Sequence, residues 1–254
     1  EQNMDNKKDI IEELLKKFIE ELNEGKQYKI IPAKAKNINV EDEYKYNIYN
    51  EISLQHELGK FLEKELGEDY KVFYEKSMYN HNEKTEEWVK KEADLVIIRK
   101  DQKEKYAIEL KFSKGENART PETLFDYIKD IRFMEVVKAK KGYTNVYNFM
   151  IANSQKYYKY ELNNEKDKKY DIYKMFRIKP KDGEQKRKFN ILQKPEGMEK
   201  YCKPTGKDGE KKFVLNNEYK GEWKILIKND SGDEKGKIFQ YRYIFINHNK
   251  YEQI

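Results

Sequence analysis

The chain has 254 residues, enough for one large domain or for a core with a substantial second lobe. Its single cysteine, Cys202, excludes a disulfide framework and a Cys-cluster zinc site, and its three histidines, His56, His81 and His248, are scattered without metal spacing. Charged residues make up 39% and hydrophobic ones only 37%, so the aromatics, including 21 tyrosines, must supply much of the buried area.

The first helix is expected from Lys8 to Glu24, with Ile11, Leu14, Leu15, Phe18, Ile19 and Leu22 on one stripe and Gly25 ending it. Residues 26–46 read as irregular, with an extended patch at Ile30-Ile31-Pro32. Helical periodicity returns over Ile48 to Leu66 and stops at Gly67. Tyr70 to Tyr79 alternates as a first strand, in which Glu75 either points toward the site or is an exposed edge residue, the latter favoured. A polar loop from His81 to Lys91 leads to strands over residues 93–99 and 105–112, joined by a turn from Asp101 to Lys105. Thr120-Pro121 then starts a helix to Ala139, with Leu124, Tyr127, Ile128, Ile131 and Met134 inward. Lys129 and Arg132 lie off that stripe, either reaching a phosphate or simply solvating the helix. Asn145 to Ala152 is a further strand, whose place after the helix fits a crossover connection. Beyond residue 155 the chain turns Lys- and Gly-rich, with strand-like runs at Ile172 to Ile178, Glu222 to Lys228 and Ile238 to Asn247.

The fold expected is α/β in the mixed α+β sense: a central mixed sheet flanked by helices, with an added strand-rich C-terminal part. Residues 1–45 would be an N-terminal helix and connecting segment, 46–155 the core, and 156–254 a basic extension packed on it. The charge follows this division. Residues 1–150 hold 28 basic and 31 acidic groups, net −3, while 151–254 hold 25 and 16, net +9. An acidic half joined to a basic, aromatic-rich half suits a nucleic-acid enzyme. No apolar run approaches the ~20 residues of a membrane span, and no signal-peptide pattern is present, so a soluble, cytoplasmic protein without a membrane partner is expected.

The chemistry centres on the paired strands. Asp94 heads the apolar run Leu95-Val96-Ile97-Ile98, and Glu109 and Lys111 stand two apart in the next strand, on the face opposite Ile108, Leu110 and Phe112. The hairpin between them can bring Asp94 beside Glu109. Two carboxylates converging beside an ammonium make a site for a divalent metal and a water nucleophile. In so charged a chain Glu-x-Lys triplets recur, seven in all, but only Glu109 has a full strand partner headed by an acid. A surface ion pair on a half-exposed strand is the alternative for that triplet alone. The preceding helix adds Glu51 and Gln55, which share a face with Leu58 and Leu62 at i, i+4, i+7 and i+11. A carboxylate on an inward stripe normally pairs or coordinates metal; as a first-turn acid, Glu51 would otherwise serve the helix dipole.

These residues resemble the PD-(D/E)XK nuclease superfamily, the restriction-endonuclease-like fold. The resemblance covers about residues 45 to 155 and rests on Glu51 and Gln55 in a helix, then Asp94, then Glu109-Leu110-Lys111. Ala93 stands where the superfamily's proline precedes the metal-binding aspartate. The resemblance implies that Asp94 and Glu109 hold Mg²⁺, for which Mn²⁺ can substitute, with Glu51 contacting it directly or through water. On the helix, Gln55 reads as hydrogen-bonding beside Glu51, a third acidic group. By the same resemblance Lys111 would orient or activate the attacking water. It further implies a metal-dependent endonuclease acting on double-stranded DNA, of the type II restriction or another defence kind, working as a homodimer where both strands are cut. A Holliday-junction resolvase or repair nuclease is the alternative within that class. A non-catalytic nucleic-acid-binding protein is the alternative outside it.

Overall fold

The computed structural model describes residues 9–31, 46–78, 92–114, 120–153, 157, 189–190, 201–202, 212–213, 215–221, 223–226 and 241–252. The expected loop at 81–91 and the strand at 172–178 lie outside them.

Helix α1 (Ile10–Glu24) begins later than expected because Asp9 takes the cap: its carboxylate accepts from the Glu12 backbone N–H at 3.2 Å. At the other end Gly25 adopts φ 62°, a left-handed conformation that a glycine takes without strain. Helix α2 (Glu51–Leu66) is also shorter than its periodicity suggests. Asn50 and Ser53 form a capping box that fixes the first turn, while Ile48 leaves the helix to bridge Ile30 in the parallel sense. Within α2, Gly59 lets the Tyr74 ring lie against the helix; a Cβ at that position would stand 2.3 Å from the Tyr74 hydroxyl oxygen.

A 3-10 turn at Gly67–Asp69 leads into β1 (Tyr70–Ser77), β2 (Glu92–Arg99) and β3 (Lys105–Ser113). These three strands form an antiparallel meander. Helix α3 (Thr120–Lys141) then carries the chain over to β4 (Asn145–Ala152), which pairs parallel to β3 from Tyr106↔Asn145 to Ser113↔Ala152. The sheet continues past β4 with β10 (Arg242–Asn247) and β9 (Lys224–Ile225), both antiparallel, giving the six-strand order β1-β2-β3-β4-β10-β9. Smaller sheets join β5 (Phe189–Asn190), β8 (Glu218–Gly221) and β11 (Tyr251–Glu252), and pair β6 (Tyr201–Cys202) with β7 (Lys212–Phe213). The molecule is thus mixed α/β, with a mixed six-strand sheet flanked by helices.

Period-2 alternation assigns the helices to opposite faces. Leu95, Ile97, Ile108, Leu110, Tyr147, Phe149 and Ile151 share a core with α1 and α2, whereas Val96, Ala107 and Val146 share one with Phe133, Met134 and Val137 of α3; Ala93 joins the α3 side too, out of step with Leu95. Every residue of β4 is buried, as befits a central strand covered on both sides.

Two polar clusters tie the chain's ends to this frame. Asn145 of β4 donates to Asp9 at 2.7 Å and to Asn247 at 2.8 Å, and Asn247 donates to Glu12 at 2.6 Å, so α1, β4 and β10 share one hydrogen-bonded seam. On the α3 side the buried Glu135 carboxylate accepts from the backbone of Asn216 and Asn217, each at 3.0 Å, and from the Tyr219 hydroxyl at 3.0 Å. Arg132 pairs with the same carboxylate at 3.1 Å. Among the described residues no helix is long and apolar enough to cross a membrane.

Candidate functional site

The ladder between β2 and β3 runs from Ile98↔Lys105 to Leu95↔Ile108 and stops there; the next step in that register would set Asp94 opposite Glu109. The strands part at this point, and their acids take over the hydrogen bonds that backbone carbonyls would otherwise accept. The Asp94 N–H donates to Glu109 Oε1 at 3.3 Å, and the Leu110 N–H donates to Asp94 Oδ2 at 2.7 Å. Both carboxyl groups are buried, Asp94 8% and Glu109 1% exposed. The disturbance extends to the other edge of β2. The β1 ladder passes from Tyr74↔Leu95 to Lys76↔Ala93 and skips Glu75, whose φ of 46° lies in the left-handed region. Glu75 itself is exposed, so the strained backbone shapes the strand opposite Asp94 while its carboxylate stays at the surface.

Helix α2 reaches this opening from one face. Gln55 is buried, and its Nε2 donates to the Asp94 backbone carbonyl at 2.7 Å. One turn earlier, Glu51 Oε2 accepts from the Phe112 N–H at 3.1 Å. Leu110 and Phe112 are two apart, so their N–H groups leave the same edge of β3. Asp94 serves the first of these amides and Glu51 the second. The separated strand edge is therefore saturated by carboxylates, which fixes the direction of both acids.

Lys111 lies between two helices. Its Nζ is 3.5 Å from Glu51 Oε1 on α2 and 3.4 Å from Asp130 Oδ2 on α3. Asp130 is only 3% exposed. Burial first, and then the Asp130 charge, pushes the neighbouring Tyr127 phenol well above its usual range. Beyond Lys111 a groove of about 260 Å³ opens, lined by Phe112, Ser113, Lys114, Glu122, Thr123 and Asp126. Burial lowers the Lys114 ammonium there. Lys129 pairs with Asp126 at 3.1 Å and Arg132 with Glu135, so both of these off-stripe cations are engaged on their own helix.

All five residues singled out in the sequence thus meet at one end of β2 and β3: Asp94 with Glu109 and Gln55, and Lys111 with Glu51. Among the described residues, no group of three or more His, Cys, Asp or Glu side chains converges at metal-ligand spacing. The all-oxygen pair Asp94 and Glu109 still fits Mg²⁺, which binds through one or two carboxylates and keeps several waters. Sequence reasoning missed Asp130. Its signal was present, since it stands three residues after Tyr127 and four before Met134, on the inward stripe of α3. Comparison of the chain with family models, curated proteins and solved structures gave no match.

Proposed function

We propose that this chain is a metal-dependent endonuclease of the PD-(D/E)XK type, hydrolysing phosphodiester bonds in double-stranded DNA as a restriction-like or other defence enzyme. The observation that carries the reading is the pair Asp94 and Glu109, buried where β2 and β3 part, with Lys111 two residues on. The element order supports it: a helix bearing Glu51 and Gln55, three antiparallel strands, a crossover helix, and a strand parallel to the third. Burying two carboxyl groups at the strand opening costs stability; the amide hydrogen bonds from Leu110 and Asp94 offset that cost, and a divalent cation would lower it further.

In this reading Asp94 and Glu109 would hold Mg²⁺ or Mn²⁺, and Glu51, which contacts Lys111 and the Phe112 amide on the same strand, would contribute directly or through water. The ion would supply charge withdrawal from the scissile phosphate and a lowered pKa for a bound water. Gln55 holds the Asp94 backbone, and with it the carboxylate, in place. Lys111 positions the attacking water or offsets charge developing on the phosphate. The basic C-terminal half holds the DNA backbone, and a homodimer would present two such sites to the two strands.

The test is incubation with supercoiled plasmid, a four-way junction and a single-stranded RNA, each in Mg²⁺, Mn²⁺ or EDTA. Metal-dependent plasmid cutting is expected. Cutting confined to the junction would move the enzyme to the resolvase or repair class. Absence of cutting on every substrate, with DNA still bound, would replace the proposal by a binding protein.

A further inference from the structure

We propose that Asp130 is a positioning residue for Lys111, holding the ammonium from the α3 side so that it meets the reacting phosphate in one place. The inference rests on the nuclease reading of the site and adds a residue to it. Lysine carries its charge on a flexible four-carbon stem. A misplacement of about 1 Å in a group that must meet a transition state can cost on the order of 10²-fold in rate. Two carboxylates approach Lys111 Nζ from opposite helices at nearly equal distances, Glu51 at 3.5 Å and Asp130 at 3.4 Å, yet their settings differ. The Glu51 side chain is 39% exposed and that of Asp130 5%.

An attraction between exposed groups is screened and weak, whereas a buried carboxylate persists only where a cation or hydrogen bonds compensate it. Glu51, more exposed and already bound to the Phe112 amide, gives Lys111 the more screened attraction, and Asp130 the stronger hold. The alternation of β3 and the inward stripe of α3 bring the two residues together, and both elements pair or pack along their length with β4. Asp130 is set beside Tyr127, whose hydroxyl donates to the Asn148 carbonyl of β4 at 3.4 Å and so joins this turn of α3 to the sheet.

The experiment compares wild type, Asp130→Asn, Asp130→Glu, Lys111→Ala and the double variant Asp130→Asn/Lys111→Ala, by plasmid-cleavage kinetics and by NMR relaxation at the Lys111 side-chain methylenes. Asp130→Ser, neutral and smaller, serves where the amide variant does not fold. The expected result is a kcat lowered on the order of 10- to 100-fold in Asp130→Asn with KM little changed. Lys111 becomes more mobile in that variant, Asp130→Glu restores much of both signals, and Asp130→Asn adds no further loss once Lys111 is gone. Equal losses with and without Lys111, or a Lys111 whose mobility is the same in the neutral variants, would overturn the proposal and leave Asp130 a purely structural acid. If wild type cuts no substrate, the nuclease reading fails, while the mobility of Lys111 still decides whether Asp130 positions it.

Discussion

Asp94 combines a proposed part in chemistry with a structural task, because its carboxylate is the acceptor for the buried Leu110 N–H. Asp94→Ala removes that acceptor and is expected to cost about 1–3 kcal/mol in denaturant unfolding, beside any loss of activity. Asp94→Asn retains an oxygen for the amide, so it should stay closer to wild type in stability while removing the charge a cation needs. Equal stability of the two variants would show that the hydrogen bond contributes nothing.

His248 links stability to pH. Its ring is buried against Tyr219, with Nε2 2.7 Å from Asn148 Oδ1. Burial, and next the Lys138 charge, pull its pKa from the ordinary 6.5 down to about 3. The unfolded chain therefore binds a proton between those values that the native state refuses. Stability from this group is complete above pH 6.5 and is lost as pH falls toward 3, with a slope approaching about 1.4 kcal/mol per pH unit. His248→Gln should flatten this part of the stability profile, read as the difference from wild type in urea midpoints between pH 6 and pH 4. Such environments were invisible in the sequence. His248 looked like one scattered histidine, and its burial depends on β8 returning over β10 across a long separation in sequence.

Among the elements, local chemistry and long-range packing divided what could be read. The strands were legible as alternating segments such as β1 or as short apolar runs such as Leu95 to Ile98, the latter because a central strand is covered on both faces. Helix starts were less so: the periodicity of α2 runs back to Ile48, but the helix begins where Asn50 and Ser53 satisfy each other's amides. That cap also sets Glu51, the first residue of the helix. Asn50→Ala should cost about 1 kcal/mol of stability and, by loosening the first turn, reduce cleavage more than that loss explains. An unchanged turnover would mean that Glu51 keeps its place without the cap.

Glu135 acts at the same scale, fastening the 215–221 segment to α3. Glu135→Ala leaves two backbone amides, the Tyr219 hydroxyl and Arg132 without their acceptor, and is expected to destabilise by about 3 kcal/mol. Hydrogen exchange should quicken first in residues 216–219; protection there equal to wild type would refute the anchoring role. Neither Asn216 nor Tyr219 carried a sequence signal for this contact, since what unites them is a single buried carboxylate far along the chain.

For the whole molecule, the sequence indicated a mixed sheet flanked by helices but left open where its last strands go. They extend the central sheet: β10 pairs with β4 from Arg242↔Ala152 to Asn247↔Tyr147, and the α1 seam through Asp9, Asn145 and Asn247 closes over that end. The uneven charge, −3 over residues 1–150 and +9 over 151–254, belongs to this scale as well. It leads to the expectation that DNA affinity falls steeply with salt, whereas the order of activity among site variants does not.

Asp94 and Glu109 form either a catalytic centre or only a hydrogen-bonded strand opening. The most direct measurement is the rate of Mg²⁺-dependent plasmid cleavage by wild type, Asp94→Asn and Glu109→Gln, at salt where all three bind DNA and with each shown to be folded. Cleavage by wild type, lost in both variants while DNA binding persists, is the result predicted. Full cleavage by either folded variant would contradict the account.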